Sequence, residues 1–312
     1  MTLPHLDEYL LHLKTNNYSE KTIYNYERDL KVFEKFLENS PFSFAKLTKR
    51  DIAQYKAYLT SRDRRTAQND AADKKLGSYS LNRMLSSLRS YLSFLLEMDY
   101  GAPVAPEAVK LIKTEKKHPQ VAELEDLVRL IKEPSVLESD RKIALRNQAM
   151  LEILFSTGMR ISELCSLNRN QIDGTGRIFV MGKGKKERFV YLTPRAQQHL
   201  ERYLLTREDN FPALFIPYSG PNVNKKDKRI STNYLQAKIK FYREKLKINV
   251  PTSAHSLRHG FATYLAEKGA NPAAIQILLG HESLSTTTRY VHPSDKYAEK
   301  SHRRFHPLSK PN

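Results

Sequence analysis

Hydrophobic residues recur along the first 100 positions at the three- and four-residue spacings of amphipathic helices. After Ser19, a typical helix N-cap residue, one such series is Ile23, Tyr26, Leu30, Phe33 and Leu37. A second series is Leu81, Leu85, Leu88, Leu92 and Leu95. Thr48 with Asp51 three positions later is similar to a capping box. The first 100 residues are therefore predicted to form an all-helical unit.

Polar segments bound these helices. Residues 61–78 are charged and contain Gly77, which predicts a solvated loop. Gly101, Pro103 and Pro106 close the first unit, which we expect to span residues 1–108. Residues 109–120 are basic and lack helical periodicity, so they are predicted to be a linker.

From residue 121 onward helical periodicity returns. The predicted helices lie at about 122–132, 142–156, 194–207, 232–247 and 256–267. Residues 177–181 and 188–192 break the pattern as short β-rich runs, and Gly-Lys-Gly-Lys-Lys-Glu between them predicts a hairpin. We expect a mainly α-helical, two-domain chain, with a small antiparallel β-sheet in the second domain, residues 121–312.

Composition narrows the class of protein. The 312 residues are 40% hydrophobic, enough to build real cores in roughly two domains. A net charge of +18 attracts polyanions, and nucleic acid is the first expectation, ahead of a ribosome-associated protein or a basic soluble enzyme. The single cysteine, Cys165, excludes a disulfide framework and fits a reducing cytoplasm. We expect no membrane insertion and no secretory signal.

Two segments contain an arginine whose place on a predicted helix suits it to bind an anion. In Thr-Gly-Met-Arg-Ile-Ser-Glu-Leu, Gly158 predicts the end of one helix and Arg160 stands where the next begins. Glu163 is expected to be a local structural partner. In His-Ser-Leu-Arg-His, His255 and Arg258 share one helix face and together suit a phosphate oxyanion.

A zinc site is not expected at these histidines. His255 and His259 are four residues apart, but the metalloprotease motif needs Glu where Ser256 stands. His259 is therefore expected to be a packed or capping residue. The Gly-Lys-Gly tip also lacks the Ser or Thr of a Walker loop, so no nucleotide or other cofactor is expected.

Two further segments are uninformative when taken singly. Gly280 after the apolar run 275–279 predicts a helix end that leaves His281 at a turn, and Tyr290 ends a short predicted helix. The hairpin carries a group of basic residues, Lys183, Lys185, Lys186 and Arg188. Such hairpins are most often solvated tips or phosphate contacts.

In their order along the chain, the four segments resemble the tyrosine recombinase (phage-integrase) family, and within it the Xer recombinases. The resemblance covers nearly the whole chain, including the tail His-Arg-Arg-Phe-His-Pro at 302–307. It implies a SAM-like core-DNA-binding domain, a linker and a catalytic domain with a C-terminal exchange tail, forming a C-shaped clamp on DNA. Met159 replaces the family's usual Leu, and the loop at 61–78 is longer than expected.

The resemblance implies a nucleophile and two phosphate-binding groups. Tyr290 would attack a DNA phosphodiester and form a covalent 3′-phosphotyrosine. Arg160 and Arg258 would offset charge on the pentavalent transition state, as a metal ion does in many nucleases.

The other implied roles concern protons. His255 is the candidate general base toward Tyr290, and His281 a hydrogen-bond donor to the phosphate. Lys183 is the candidate general acid for the departing 5′-oxygen. Because the ester stores the bond energy, rejoining needs no ATP.

Several readings compete with this one. A type IB topoisomerase shares the chemistry, a non-catalytic DNA-binding protein shares the fold, and a metal-dependent nuclease is suggested by the histidines clustered between 255 and 306. A binding protein would have no need for Tyr290, and no acidic cluster accompanies the histidines.

The implied biological role is chromosome or plasmid dimer resolution, with mobile-element integration as the second choice. The expected partners are paired double-stranded DNA sites, three further protomers in a homotetramer or a heterotetramer with a second recombinase, and an activating protein. The expected location is the cytoplasm, associated with the nucleoid.

Overall fold

The computed structural model of the chain describes residues 2–61, 76–114, 121–182 and 187–280. The chain divides into two compact units, Met1–Lys117 and His118–Asn312. Each contains its own buried apolar cluster. Within the described ranges no helix is both long and apolar enough to cross a membrane.

The described part of the first unit is helical, as predicted. Its helices are α1 (Leu6–Thr15), α2 (Glu20–Glu38), α3 (Lys49–Thr60) and α4 (Ser78–Glu97). Ser19 caps α2 by accepting the Thr22 N–H at 3.1 Å, and Thr48 and Asp51 form the predicted capping box of α3. The sequence pattern did not single out α1. It begins after His5, which has a left-handed backbone and no side-chain cap, so the usual start signal is missing.

The core of the first unit is built from the predicted apolar series. All five leucines of the α4 series are at least 95% buried. They pack with a group of fully buried aromatic rings on the other helices, Tyr9, Phe33 and Tyr55. Three-and-four spacing therefore identified the inward face of α4 correctly.

The packing of the first unit continues past its last helix. Val109 is fully buried in its core. The Asn82 side chain donates to the Ile112 carbonyl at 2.9 Å and accepts from the Ile112 N–H at 2.8 Å, as a neighbouring strand would. Residues 109–112, the first four of the segment predicted to be a linker, therefore pack against and hydrogen-bond to the first unit.

The second unit is mostly helical. Its described helices are α5 (Leu124–Lys132), α6 (Pro134–Leu137), α7 (Arg141–Thr157), α8 (Ile161–Ser166), α9 (Pro194–Leu204), α10 (Thr232–Lys245), α11 (Ala254–Glu267) and α12 (Pro272–Leu279). Helix α7 is buried on nearly every side, polar residues included, and packs against α9 and α11. Arg160 stands at the start of α8, and His255 and Arg258 lie in the first half of α11.

The predicted hairpin is confirmed. Strands β1 (Arg177–Met181) and β2 (Glu187–Tyr191) pair antiparallel, with Val180 opposite Arg188. On β2 the inward positions are Arg188 and Val190, so a charged residue occupies a core-facing position. Together with the helices, this sheet confirms the predicted fold class.

A buried carboxylate in the first unit yields a prediction about pH. Asp29 on α2 is 3% exposed and accepts from Arg83 at 2.5 Å. Burial raises the pKa of Asp29 to about 6, although Arg83 opposes this. Ionised Asp29 is therefore costly in the folded state, and stability is lost as the pH rises from about 4 to about 6.

We expect Asp29→Asn to stabilise α2 at pH 7.5 by about 1–3 kcal/mol, because the amide carries no charge to desolvate. The advantage should shrink at pH 4, where Asp29 itself is protonated. Urea unfolding followed by pulsed hydrogen–deuterium exchange of peptides from α2 measures the free energy of unfolding at each pH. Asp7→Asn, a substitution at an exposed position, is the control. Equal loss of stability at both pH values would contradict the argument.

Candidate active site

Arg160 owes its position to a helix end that requires glycine. Helix α7 ends at Gly158, whose φ of +63° is left-handed. A Cβ there would lie 2.3 Å from Cδ1 of Phe261, so both conformation and space favour glycine. Two residues later Arg160 is the N-cap of α8, with its side chain 35% exposed.

Glu163 is a buried carboxylate shared by two arginines. It accepts from the Arg160 backbone N–H at 2.8 Å and from Arg160 Nη1 at 2.9 Å. Arg188 donates to both carboxylate oxygens, from Nη1 at 3.0 Å and Nη2 at 2.7 Å. Burial by itself would raise the pKa of Glu163, but the hydrogen bonds from Arg188 and from the Arg160 backbone outweigh it, so its pKa is lowered. The expected structural role of Glu163 is confirmed.

Arg258 projects from α11 and is 4% exposed. Its Nη1 donates to the Gly158 carbonyl at 2.8 Å and its Nη2 to the Leu279 carbonyl at 2.6 Å. One guanidinium thus joins the end of α7 to the end of α12.

At the C-terminal end of α12, three arginine guanidiniums donate hydrogen bonds to three consecutive backbone carbonyls. Arg188 Nε donates to Leu278 at 2.8 Å, Arg258 to Leu279, and Arg160 Nη2 makes a longer contact of 3.4 Å to Gly280. The last carbonyls of a helix lack partners within it and carry partial negative charge, so they are natural acceptors for cations. Arg160 and Arg258 are thereby held at the same place.

His255 and His259 form a pair on α11. Their Nε2 atoms are 2.7 Å apart, and the rings meet edge to face with centroids 4.2 Å apart. One ring must donate and the other accept, so the two cannot both be protonated at these nitrogens. Partial burial and the positive charges of Arg258 and Arg160 lower the pKa of His255. His255 is therefore neutral at pH 7 and able to accept a proton.

Three of the six predicted site residues are described, namely Arg160, His255 and Arg258. The hydrogen bonds to Gly158, Leu279 and Gly280 bring the arginines together, and their charges act on His255. Lys183, His281 and Tyr290 lie outside the described residues. Among the residues that are described, no three His, Cys, Asp or Glu side chains are grouped to hold a metal ion.

Arg188 is the residue whose importance the sequence reasoning missed. The basic hairpin suggested a solvated or phosphate-contacting side chain, but Arg188 is 9% exposed. The alternation of side chains along β2 could have indicated that Arg188 is buried, because Arg188 lies on the same strand face as Val190, two residues later. Its partners, Glu163 and Leu278, are distant in sequence and could not be deduced.

Family comparisons cover most of the chain. The Phage integrase family model matches residues 120–297, and the Phage integrase N-terminal SAM-like domain model matches residues 6–98. A Staphylococcus epidermidis protein named tyrosine recombinase XerD is 32% identical over 310 residues, covering 97% of this chain and 98% of that protein. A Lactobacillus delbrueckii subsp. bulgaricus protein named tyrosine recombinase XerC is 31% identical over 312 residues, with coverages of 96% and 98%.

Solved structures share the fold. A XerH site-specific recombinase bound to palindromic difH substrate superimposes with a TM-score of 0.72 at 22% identity, covering 93% of this chain and 81% of that one. A lambda integrase dimer bound to a COC′ core site gives a TM-score of 0.69 at 14% identity, with coverages of 98% and 79%.

The Glu163 bridge yields a stability prediction. Glu163→Gln should lower the free energy of unfolding by about 3–5 kcal/mol, because it leaves Arg188 buried without its counter-charge. The lowered pKa of Glu163 means that its stabilisation is complete above its ordinary value of 4.5 and is lost as the pH falls below it. The free energy of unfolding of the variant should therefore fall less than that of the wild type when the pH is lowered below 4.5.

Urea unfolding at pH 7.5 and pH 4 measures both effects. Glu125→Gln, a change at an exposed position on α5, is the matched control and should alter stability by less than about 0.5 kcal/mol. If Glu163→Gln were as mild as the control, the bridge would not hold this part of the unit together.

Proposed function

Because the chain belongs to the phage integrase family, we propose that it is a site-specific DNA recombinase that cleaves and rejoins strands through a 3′-phosphotyrosine at Tyr290. The family matches and the two Xer relatives support recombination. The single structural observation that supports the chemistry best is the fixing of Arg160 and Arg258 on adjacent carbonyls at the end of α12.

The two arginines have the chemistry to bind the scissile phosphate. A guanidinium is planar, stays charged and donates several hydrogen bonds in fixed directions, which suits the equatorial oxygens of a pentavalent phosphorane. Arg258 is held by two carbonyls and Arg160 by Glu163, so little reorganisation is needed when charge develops. Such preorganised cations supply the stabilisation that a divalent metal supplies elsewhere, and we propose that cleavage needs no metal.

Proton transfer would be divided among His255, Lys183 and His281. A tyrosine phenol with its ordinary pKa near 10 is a weak nucleophile at pH 7 and must lose its proton to attack. The lowered pKa of His255 keeps its ring neutral, as a general base requires. We assign Lys183 as general acid toward the 5′-oxygen and His281 as a donor to the phosphate.

Rejoining would use the energy stored in the phosphotyrosyl ester. The 5′-hydroxyl of another strand attacks the phosphorus, the bond to Tyr290 breaks, and the phenol regains a proton. No bond energy is lost to water, so the cycle requires no ATP.

The other candidate classes make different products. A type IB topoisomerase would relax a plasmid that carries two sites without deleting the DNA between them. A non-catalytic binding protein would form no covalent adduct. A metal-dependent nuclease would stop in chelator and would leave broken ends.

Chromosome or plasmid dimer resolution is the biological role that the relatives named XerD and XerC favour. Integration or transposition of a mobile element is the alternative. We propose that the protein acts in the cytoplasm on the nucleoid. Mapping covalent protein–DNA adducts across the host genome identifies the target site: one locus in the host chromosome indicates resolution, and junctions of a mobile element indicate integration.

We propose assembly as a tetramer on two DNA sites, alone or with a second recombinase and an activating protein. Strand exchange cuts four phosphates, and the tail from Asp295 to Asn312 would link neighbouring protomers. Tyr297, Ala298 and Phe305 supply apolar surface on that tail.

A groove of about 400 Å³ in the second unit offers a surface of suitable chemistry for a neighbour's tail. Its apolar lining comes from α5, α7 and α11, and includes Val128, Ile131, Phe155, Phe261 and Leu265. Burying apolar side chains there would be favourable in proportion to the area removed from water.

We predict that Tyr290→Phe binds DNA normally but forms no covalent adduct, since it lacks the attacking hydroxyl while keeping the ring. The measurement uses a nicked suicide substrate carrying the mapped site and denaturing gels. The wild-type adduct should form equally in EDTA. An undiminished adduct with Tyr290→Phe would refute the assignment of the nucleophile, and loss of activity in EDTA with recovery in magnesium would favour the nuclease.

We predict that deletion of residues 298–312 leaves single-site binding nearly intact and abolishes synapsis and recombination. The reason is that the deletion removes Ala298 and Phe305, two of the three apolar groups proposed to join protomers. Gel shifts measure binding, and a two-site plasmid assay measures recombination. A control deletion of only the last three residues, which removes no apolar anchor, should recombine normally. Normal recombination by the longer deletion would show that the tail does not couple the subunits.

A further inference from the structure

We propose that Arg188 is a positioning residue of the active site. It sets the net charge around Arg160 and the orientation of the Arg160 guanidinium through Glu163, and it holds the end of α12. The inference rests on the proposed function, because it assigns Arg160 to the scissile phosphate. The side chain of Arg188 is 7% exposed, so we assign it no direct contact with the DNA or the reacting atoms.

The division of hydrogen bonds at Glu163 is the first argument. Arg188 engages both carboxylate oxygens in a forked pair, whereas Arg160 reaches only Oε1 with one side-chain nitrogen. A forked pair is the strongest and most directional geometry between these groups. Arg188 therefore takes up most of the hydrogen-bonding capacity of the Glu163 carboxylate. Arg160 is held by one side-chain hydrogen bond to Glu163, and its other guanidinium nitrogens are not used by that carboxylate.

The balance of charge is the second argument. Glu163 carries one negative charge, and Arg188 and Arg160 together carry two positive ones. With Arg188 present, this group of three retains a net positive charge for an anionic phosphate. Without it, Glu163 would neutralise Arg160, and the carboxylate would compete directly with the phosphate for the same guanidinium.

The third argument is the place where the chain turns after α12. Arg188 Nε donates to the Leu278 carbonyl. Gly280, which has a φ of +63°, lies next to the Arg188 side chain. A Cβ on Gly280 would lie 3.0 Å from Arg188 Cδ. Arg188 therefore contacts both the last turn of α12 and the residue at which that helix ends.

Substitution by lysine separates charge from geometry. Lysine keeps a positive charge but offers a single nitrogen, so it cannot bind both Glu163 oxygens and the Leu278 carbonyl in the same plane. We expect Arg188→Lys to lower the rate of covalent adduct formation by about 10- to 100-fold, by analogy with the loss found when residues that orient metal ligands are replaced. The Kd for a single DNA site should change by less than about twofold. Arg188→Met, which also loses the charge, should be slower still.

Arg207 provides a matched control in the same unit. Its side chain is fully buried, forks onto Asp209 at 2.6 and 2.5 Å, and donates to the Leu214 carbonyl at 2.8 Å. Arg207→Lys therefore removes the same kind of interaction from a place whose partners all lie within residues 203–214. It should lower the melting temperature about as much as Arg188→Lys and leave the rate of adduct formation unchanged.

The experiment combines single-turnover cleavage of the suicide substrate, gel shifts and melting curves for the full-length wild type and the three variants. Slow cleavage by Arg188→Lys and by Arg188→Met at unchanged Kd, with a wild-type rate for Arg207→Lys, supports the proposal. A wild-type rate overturns it. Equal slowing by Arg188→Lys and Arg207→Lys would also overturn it, because lost stability would then explain both.

A measurement without DNA keeps the inference separate from the proposed function. Hydrogen–deuterium exchange should quicken in Arg188→Lys at residues 158–164 and 278–280, and not in Arg207→Lys. Unchanged exchange at those residues refutes the positioning role. If the wild type forms no adduct with any DNA, the proposed function fails, while the exchange result still decides what Arg188 does.

Discussion

The second unit depends on one electrostatic arrangement. Arg188, Arg258 and Arg160 donate to the carbonyls at the end of α12, and Arg188 and Arg160 share the buried carboxylate of Glu163. Removing charges from water is expensive and is repaid only when every partner is in place. Here each partner comes from a different element: α8 supplies Glu163, β2 supplies Arg188 and α11 supplies Arg258. The same contacts that close the core therefore also orient the guanidiniums of the candidate site.

Helix α7 makes this arrangement possible, because it reaches the site from inside the core. Its buried side chains fix its end at Gly158, where the carbonyl accepts from Arg258 and the chain turns to present Arg160. The packed helix behind the candidate site therefore fixes where Arg160 and Arg258 are held. A site carried on such elements is held more precisely than one on loops alone.

Local sequence signals predicted most of the fold. The spacing of the α4 leucines, the Thr48–Asp51 capping box, the glycines at 158 and 280 and the hairpin turn each act over a few residues, so they can be identified without the tertiary structure. Helix α1 lies within the unit predicted to be all-helical, but its bounds were not predicted because it starts without a cap. Its stability comes from Leu6, Tyr9 and Leu13, which pack into the core.

By itself the sequence determined the helical class, the position of the hairpin, the basic character and the candidate residues, because each of these depends on residue type and spacing. Only the tertiary structure decided that Arg188 faces inward to Glu163 and that Arg160 and Arg258 converge on the end of α12. Those contacts join residues as many as 120 positions apart. Which partner a buried charge selects is set by desolvation and by the geometry of the surrounding elements, and neither is encoded in local spacing.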